Sequence, residues 1–238
     1  LEKLGSRRIN YSVEAQKFCD DALKKVNKNL VTAVAAPFRR VEAYPPMTFS
    51  NVDECDLHVQ WEQMGVPFFY PFNVDFYKMP GKRGWGHPEI WNDSGTGDQI
   101  MPWLFQMVMR GADGVGCSGW FPSWGVLPED SRLAYQGIPS VFRSVFTLMK
   151  QYGPWLNTLK NNDQVALVAD ARMFKIDEWG SVFGRHFGRV WEAYVTCMMA
   201  HYPAQIVFTD HLKPDSLKKY KIVLLVDQWV EMEPGLVK

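Results

Sequence analysis

The chain has 238 residues, 47% of them hydrophobic, and its 26 lysines and arginines are balanced by 26 aspartates and glutamates. That length holds one large domain or two smaller ones with a substantial core, and the even charge without a basic run argues against nucleic acid as a partner. No apolar stretch is long enough to span a bilayer, and the scattered Cys19, Cys55, Cys117 and Cys197 form no CxxC or Cys/His cluster, so neither a metal site nor a disulfide framework is expected.

In chain order, residues 12–26 set Val13, Phe18, Ala22 and Val26 among charges, the pattern of an amphipathic surface helix with Ser12 as its N-cap. The apolar run LVTAVAAPF at 30–38 predicts a strand covered on both faces, and a loop with Pro45-Pro46 follows. Residues 53–64 read as a helix leading through Gly65 into the next strand, VPFFYPF. After the loop KMPGKRGWG, the text PEIWND predicts another strand, closed by Asp93 and followed by Ser94-Gly95-Thr96-Gly97. The segment from about Gln99 to Arg110 is helical, Gly111 is its natural C-cap, and the strand GVGCSG ends just before Trp120. A long helix is expected over roughly 134–151. Helices alternating with short buried strands indicate an α/β layer arrangement with parallel strands.

A polar linker, Asn161-Asn162-Asp163, opens a second unit. Strands are predicted at 164–170, 204–210 and 221–227, with a helix from about Val182 to Ala200. Each strand ends in aspartate (Asp170, Asp210, Asp227), a βαβ pattern of a flavodoxin-like sheet. Three strands make an incomplete version of that sheet. The chain also starts at Leu1 without methionine and stops at Lys238 shortly after a strongly apolar strand, so a chain cut at both ends is expected.

Asp93 and Trp120 are the residues on which a functional reading rests. In a barrel of alternating strands and helices, the C-terminal strand ends form the active-site face. A carboxylate beside indole rings suits sugar chemistry, because rings stack on apolar sugar faces while carboxylates act as acid, base or nucleophile. The competing role for Asp93 is to cap the following turn. Glu89 shares its strand parity but lies four residues earlier, about 13 Å down the strand, where a buried ion pair is the expected role. Among the tryptophans, Trp85, Trp91, Trp120 and Trp124 fall on or beside strand ends, whereas Trp61 and Trp103 read as helix packing. His87 stands at the start of a strand and reads as structural. Cys197 lies inside a helix, not in the Gly-flanked turn of a nucleophile elbow, and the GSVFG and GRHFG stretches lack the lysine and hydroxyl of a phosphate loop.

These ordered features resemble glycoside hydrolase family 42, the β-galactosidases of clan A. HPEIWNDS at 87–94 takes the place of the seventh strand, which in the family ends in the nucleophilic glutamate. RGADGVGCSGW at 110–120 is similar to the family's eighth strand with its terminal tryptophan. Tyr70-Pro71 resembles the Tyr-Pro at the sixth strand's end, and VALVADARMFKIDEW resembles the opening of the family's amidotransferase-like trimerisation domain. The resemblance covers roughly residues 30–238.

It implies the C-terminal part of a (β/α)8 TIM barrel at 1–160, followed by an incomplete flavodoxin-like, class I amidotransferase-like domain at 161–238. It implies O-glycosidic bond hydrolysis with Asp93 as nucleophile and with Trp120, Trp91, Tyr70 and Trp124 against the sugar. No cofactor or metal is implied. The implied partners are a carbohydrate substrate and further copies of the chain, as in the family's trimers, with cytoplasmic and secreted locations both open. Two departures stand out. The general acid of the family sits at the end of the fourth strand, and this sequence begins near the fifth. Aspartate also replaces glutamate at the nucleophile position, which draws the carboxylate back by somewhat over an ångström. Retaining sites hold their carboxyls about 5–5.5 Å apart and inverting sites roughly 6.5–9.5 Å, so an inverting reaction, or none, stays open. The alternative class is a non-catalytic sugar-binding or assembly protein on a decayed barrel.

Overall fold

The computed structural model describes residues 2–35, 46, 51–59, 68–88, 97–116, 138–176, 185–213 and 215–228. The chain divides into two compact units, Leu1–Glu54 together with Asn161–Lys238, and Cys55–Lys160. Both are α/β in character, with parallel strand pairing in each.

The first unit begins with helix α1 (Glu2–Val26) and the short strand β1 (Ala33–Ala35). The helix starts ten residues earlier than its amphipathic stretch predicts. Pairs four residues apart, Lys17–Asp21 at 2.7 Å and Lys24–Asp20 at 3.0 Å, support it, and Lys24 and Lys25 suit its negative C-terminal end. Asp53 then anchors the returning chain, accepting the Thr32 N–H at 3.0 Å and the Lys24 ammonium at 3.0 Å.

Two elements that follow differ from the sequence reading. The stretch expected as helix from residue 53 is strand β2 (Glu54–Val59). Its six residues alternate polar and apolar, and Cys55 and Leu57 are both fully buried, as a strand with one covered face requires. Conversely, the tail of VPFFYPF lies in helix α2 (Phe69–Tyr77), of which every residue but Asp75 is buried. An element apolar on all sides carries no 3.6-residue period to distinguish it from a strand. Pro71 is tolerated because it falls in the first turn, where no intrahelical N–H bond is lost.

The next strand, β3 (Arg83–Pro88), also begins earlier than expected. Its text RGWGHP reads as loop, yet its glycines serve close packing. A Cβ on Gly84 would stand 2.9 Å from the Leu57 side chain, and one on Gly86 would stand 2.8 Å from Met107 Sδ. Met107 belongs to α3 (Gly97–Met109), which buries Ile100, Leu104 and Met107 as one stripe. Strand β4 (Gly114–Val115) runs parallel to β3 with Trp85 opposite Gly114, and β2, β3 and β4 lie side by side in that order. Helix α4 (Ile138–Leu156) packs on α3 and closes the unit.

In the first unit, the chain resumes with β5 (Val165–Ala169), α5 (Ala171–Ile176), α6 (Arg185–Met199), β6 (Ala204–Phe208), a 3-10 turn at Thr209–His211 and β7 (Ile222–Leu225). The strand order is β6-β5-β7, with both pairings parallel. All five residues of central β5 are buried, which is why it reads as a continuous apolar run. Helix α6 packs on β5 and β6 through His186, Val190 and Tyr194, a buried stripe at four-residue spacing.

Helices α3 and α6 end in the same way with different residues. After α3, Ala112 N–H reaches Met107 O at 3.0 Å and Gly111 N–H reaches Val108 O at 2.9 Å. After α6, Tyr202 N–H reaches Cys197 O at 2.9 Å and His201 N–H reaches Met198 O at 3.1 Å. Both are Schellman closures, which place the C′ residue in the left-handed region: Gly111 at φ 105° and His201 at φ 60°. A Cβ on Gly111 would meet only the Lys78 ammonium, at 4.0 Å, so a substitution there is opposed by backbone strain alone. Gly111→Ala should therefore destabilise by about 1–2 kcal/mol. His201→Gly should stabilise by roughly 0.5–1 kcal/mol once the extra freedom of unfolded glycine is deducted. Urea denaturation of both variants checks the pair, and shifts of the same sign would contradict this account of the two caps.

Candidate functional site

Of the residues the sequence nominates, Asp93, Trp91, Trp120 and Trp124 lie outside the described residues, as does Glu89. Tyr70 is described, and it sits in the first turn of α2 rather than at a strand end. Its ring stacks on Trp103 of α3, with centroids 5.1 Å apart and planes 16° from parallel. Tyr70 is 1% exposed and its hydroxyl has no hydrogen-bond partner among the described residues. Burial alone pushes its phenol far above the ordinary range, so it is a neutral O–H at any physiological pH. An unsatisfied buried hydroxyl costs roughly 1–3 kcal/mol. Two residues before it, Phe68 holds φ 59° and ψ 13° at the helix N-cap, without a side-chain capping bond. A bulky residue in the left-handed region is strained, and such strain collects where a side chain is being aimed. Trp103, read from sequence as helix packing, is the half-buried platform on which Tyr70 rests.

Strand β3 sorts its residues by parity. Gly84 and Gly86 face Leu57 and Met107, while Trp85 takes the opposite face and is 42% exposed. The indole lies across Gly114, where a Cβ would stand 2.4 Å from its ring.

The RGAD segment is explained without chemistry. Arg110 pairs with Asp75 of α2, their side chains 8% and 7% exposed. Gly111 supplies the left-handed turn and Ala112 is buried. Asp113 Oδ2 accepts Gly84 N–H at 2.7 Å and the Lys78 ammonium at 2.9 Å, while Asp113 N–H donates to Gly84 O at 2.8 Å. Each residue locks α3 or the β3–β4 pair in place.

A polar cluster that the functional reading passed over stands at the carboxyl ends of β5 and β7. Asp170 caps α5, its Oδ1 accepting Arg172 N–H at 2.8 Å, and it pairs with the Arg172 guanidinium at 2.7 Å. Its Oδ2 also accepts from Gln228 Nε2 at 2.9 Å. Desolvation opposes ionisation here, but the bonds from Arg172 and Gln228 outweigh it and hold the carboxyl below its usual range. His186 is close enough to feel both Asp170 and Asp227. The sequence signal was the aspartate ending each strand. The structure gives the three different roles: Asp170 is a buried cap, Asp210 lies exposed in the 3-10 turn, and Asp227 takes φ 47°.

Cys197 lies within α6, and burial raises its thiol above the usual range, so it is poorly suited to nucleophilic work. Among the described residues, no group of three or more histidines, cysteines or acids is placed to hold a metal, and no helix is long and apolar enough to cross a membrane.

Comparison with known proteins gives a class by structure alone. No protein-family model matches the chain, and no curated protein matches it by sequence. The fold is that of an α/β protein of β-galactosidase-like architecture. The similarity is to the crystal structure of a β-galactosidase from the psychrophilic Marinomonas ef1, at 16% identity and a TM-score of 0.65. The match covers 98% of this chain and 42% of that one, so the chain spans less than half the length of its structural neighbour.

Proposed function

We propose that this chain carries the nucleophile-bearing part of a glycoside hydrolase of β-galactosidase type, built on the C-terminal part of a (β/α)8 barrel followed by an amidotransferase-like domain. The observation that carries the reading is the structural match to a β-galactosidase along 98% of the chain. In this reading Asp93 attacks the anomeric carbon, Trp120, Trp91 and Trp124 stack on the sugar, and the Tyr70 hydroxyl gains the partner it lacks when a sugar oxygen or the nucleophile comes within reach. The second domain serves assembly into a homo-oligomer, a trimer if it follows the family.

The test separates the nucleophile from the acid, which this chain does not identify. A dinitrophenyl glycoside departs without protonation, so it reports on the nucleophile alone. Its 2-deoxy-2-fluoro analogue slows release of the covalent glycosyl-enzyme. The expected result is a stoichiometric glycosyl adduct, located by mass spectrometry on the peptide containing Asp93. Failure to turn over or trap any member of an α- and β-glycoside panel would favour the decayed, non-catalytic barrel instead.

A further inference from the structure

Strand β7 is weakly held in its unit. Ile222, Val223, Leu224 and Leu225 are 38–52% exposed, so apolar burial does little to fix it, and β5 pairs with it along one edge. Its ends are tied by polar groups. At the start, Gln164 O accepts the N–H groups of Lys221 at 2.8 Å and Ile222 at 3.2 Å. Past its end, Val226 is buried, Asp227 adopts the left-handed conformation and Gln228 bonds Asp170. His186, in the first turn of α6 and 1% exposed, has its ring edge-on to Phe174 of α5 at 4.7 Å and feels the charge of Asp227 past this end. We propose that His186 is an acid-operated latch on the end of β7: the neutral ring lets residues 226–228 and the first turn of α6 close around it, and its protonated form must reach water, releasing β7.

The charged groups facing the ring are Asp227, beyond β7, and Asp170, at the end of β5. Both favour the imidazolium, and Asp170 already answers a cation. Asp170 pairs with Arg172 of α5, and Arg189 of α6 lies in the field of Asp227 while it bonds Glu192. Desolvation therefore wins, and the pKa of His186 is pushed down to about 4 from 6.5. At the end of β6, His211 packs edge-on to Phe208. Burial also lowers its pKa against the pull of Asp210, which makes it the natural control.

The sign follows from linkage. Between pH 4 and 6.5 the opened state binds more protons than the closed one, so closure strengthens as pH rises. It is complete above the ordinary histidine pKa and is lost as pH falls toward the value in the closed state. The full effect on the opening constant, reached only well below pH 4, is about 300-fold, and about 100-fold of it is expressed between pH 7 and pH 4.

Amide hydrogen exchange of the peptide spanning 222–228, corrected for intrinsic rates, tests the latch between pH 7 and 4. The wild-type protein should lose protection by about 100-fold and His211→Gln should follow it, whereas His186→Gln should show a flat profile whatever its absolute protection. A flat wild-type profile, or a slope that survives in His186→Gln, overturns the proposal. If glutamine at 186 prevents folding, Asp227→Asn replaces it, since asparagine accepts the left-handed conformation. Removing a charge that favours the imidazolium lowers the closed-state pKa, so the loss of protection should still begin near pH 6.5 but be larger at pH 4 than in the wild type, and an unchanged or smaller loss likewise overturns the latch.

Discussion

Arg110→Met should destabilise the Cys55–Lys160 unit by roughly 3–5 kcal/mol, the largest stability loss expected of any single substitution in the described residues. The reason lies in what stays behind. Asp75 is the one residue of α2 that is not fully buried, and even so its side chain is 7% exposed. It sits in an otherwise apolar helix, and the guanidinium of Arg110 answers its charge. Methionine matches the volume of the arginine stem but leaves a carboxylate in a site built to exclude water. Removing both charges is a different experiment. Asp75→Leu with Arg110→Met should recover most of the loss, because the desolvation of both ions disappears along with their attraction. Urea denaturation of the two single variants and the double variant closes the cycle. A double variant as unstable as Arg110→Met alone would mean that Arg110 acts through other contacts and that the pair is incidental.

That pair also shows what was legible in the sequence and what was not. RGAD was the best-matched motif in the resemblance to family 42, and its position between α3 and β4 is as expected. What each residue does became visible only with Asp75 in place, thirty-five residues away. The helix reading of α3 and its glycine cap survive because they rest on local rules, a buried stripe and a left-handed turn. Strand β5 survives because both its faces are covered. β7 carries the same apolar signature but is exposed along its length, a difference of neighbours that no local pattern encodes.

The failures have equally specific causes. β2 carried the alternation of a strand within a stretch read as helix, and the mostly apolar, nine-residue α2 has no 3.6-residue period to separate it from a strand. β3 begins five residues earlier than expected because Gly84 and Gly86 suggest a turn, whereas they are there to admit Leu57 and Met107. Tyr70 was nominated through a two-residue likeness to a strand end. It is instead an aromatic of a buried helix with an unsatisfied hydroxyl, and only the packed structure could show that. His186 lay in a stretch dismissed as a poor phosphate loop. Its burial depends on the four-residue spacing to Val190 and Tyr194 in α6.

Asp93→Asn in the intact enzyme should lower kcat by at least about a thousandfold, some 4 kcal/mol of barrier at 1.36 kcal/mol per tenfold, and leave urea stability close to wild type. Asparagine is isosteric and still caps a turn, so it preserves the structural role of position 93 while removing the charge that, in the proposed function, attacks the anomeric carbon or steadies its oxocarbenium-like transition state. Trp120→Ala provides the contrast. A sugar face stacked on an indole is held in the ground state and the transition state alike, so its loss should raise KM with a smaller change in kcat. Burial of an aromatic face contributes about 1.5–3 kcal/mol, which corresponds to a roughly ten- to hundredfold rise in KM. The two signatures are separable on one substrate series. If Asn at position 93 keeps near-normal hydrolysis of every aryl glycoside the wild type accepts, Asp93 is a turn cap and the nucleophile lies elsewhere. Loss of folding in Asp93→Asn would point the same way, since a catalytic carboxylate is dispensable for stability and a structural one is not.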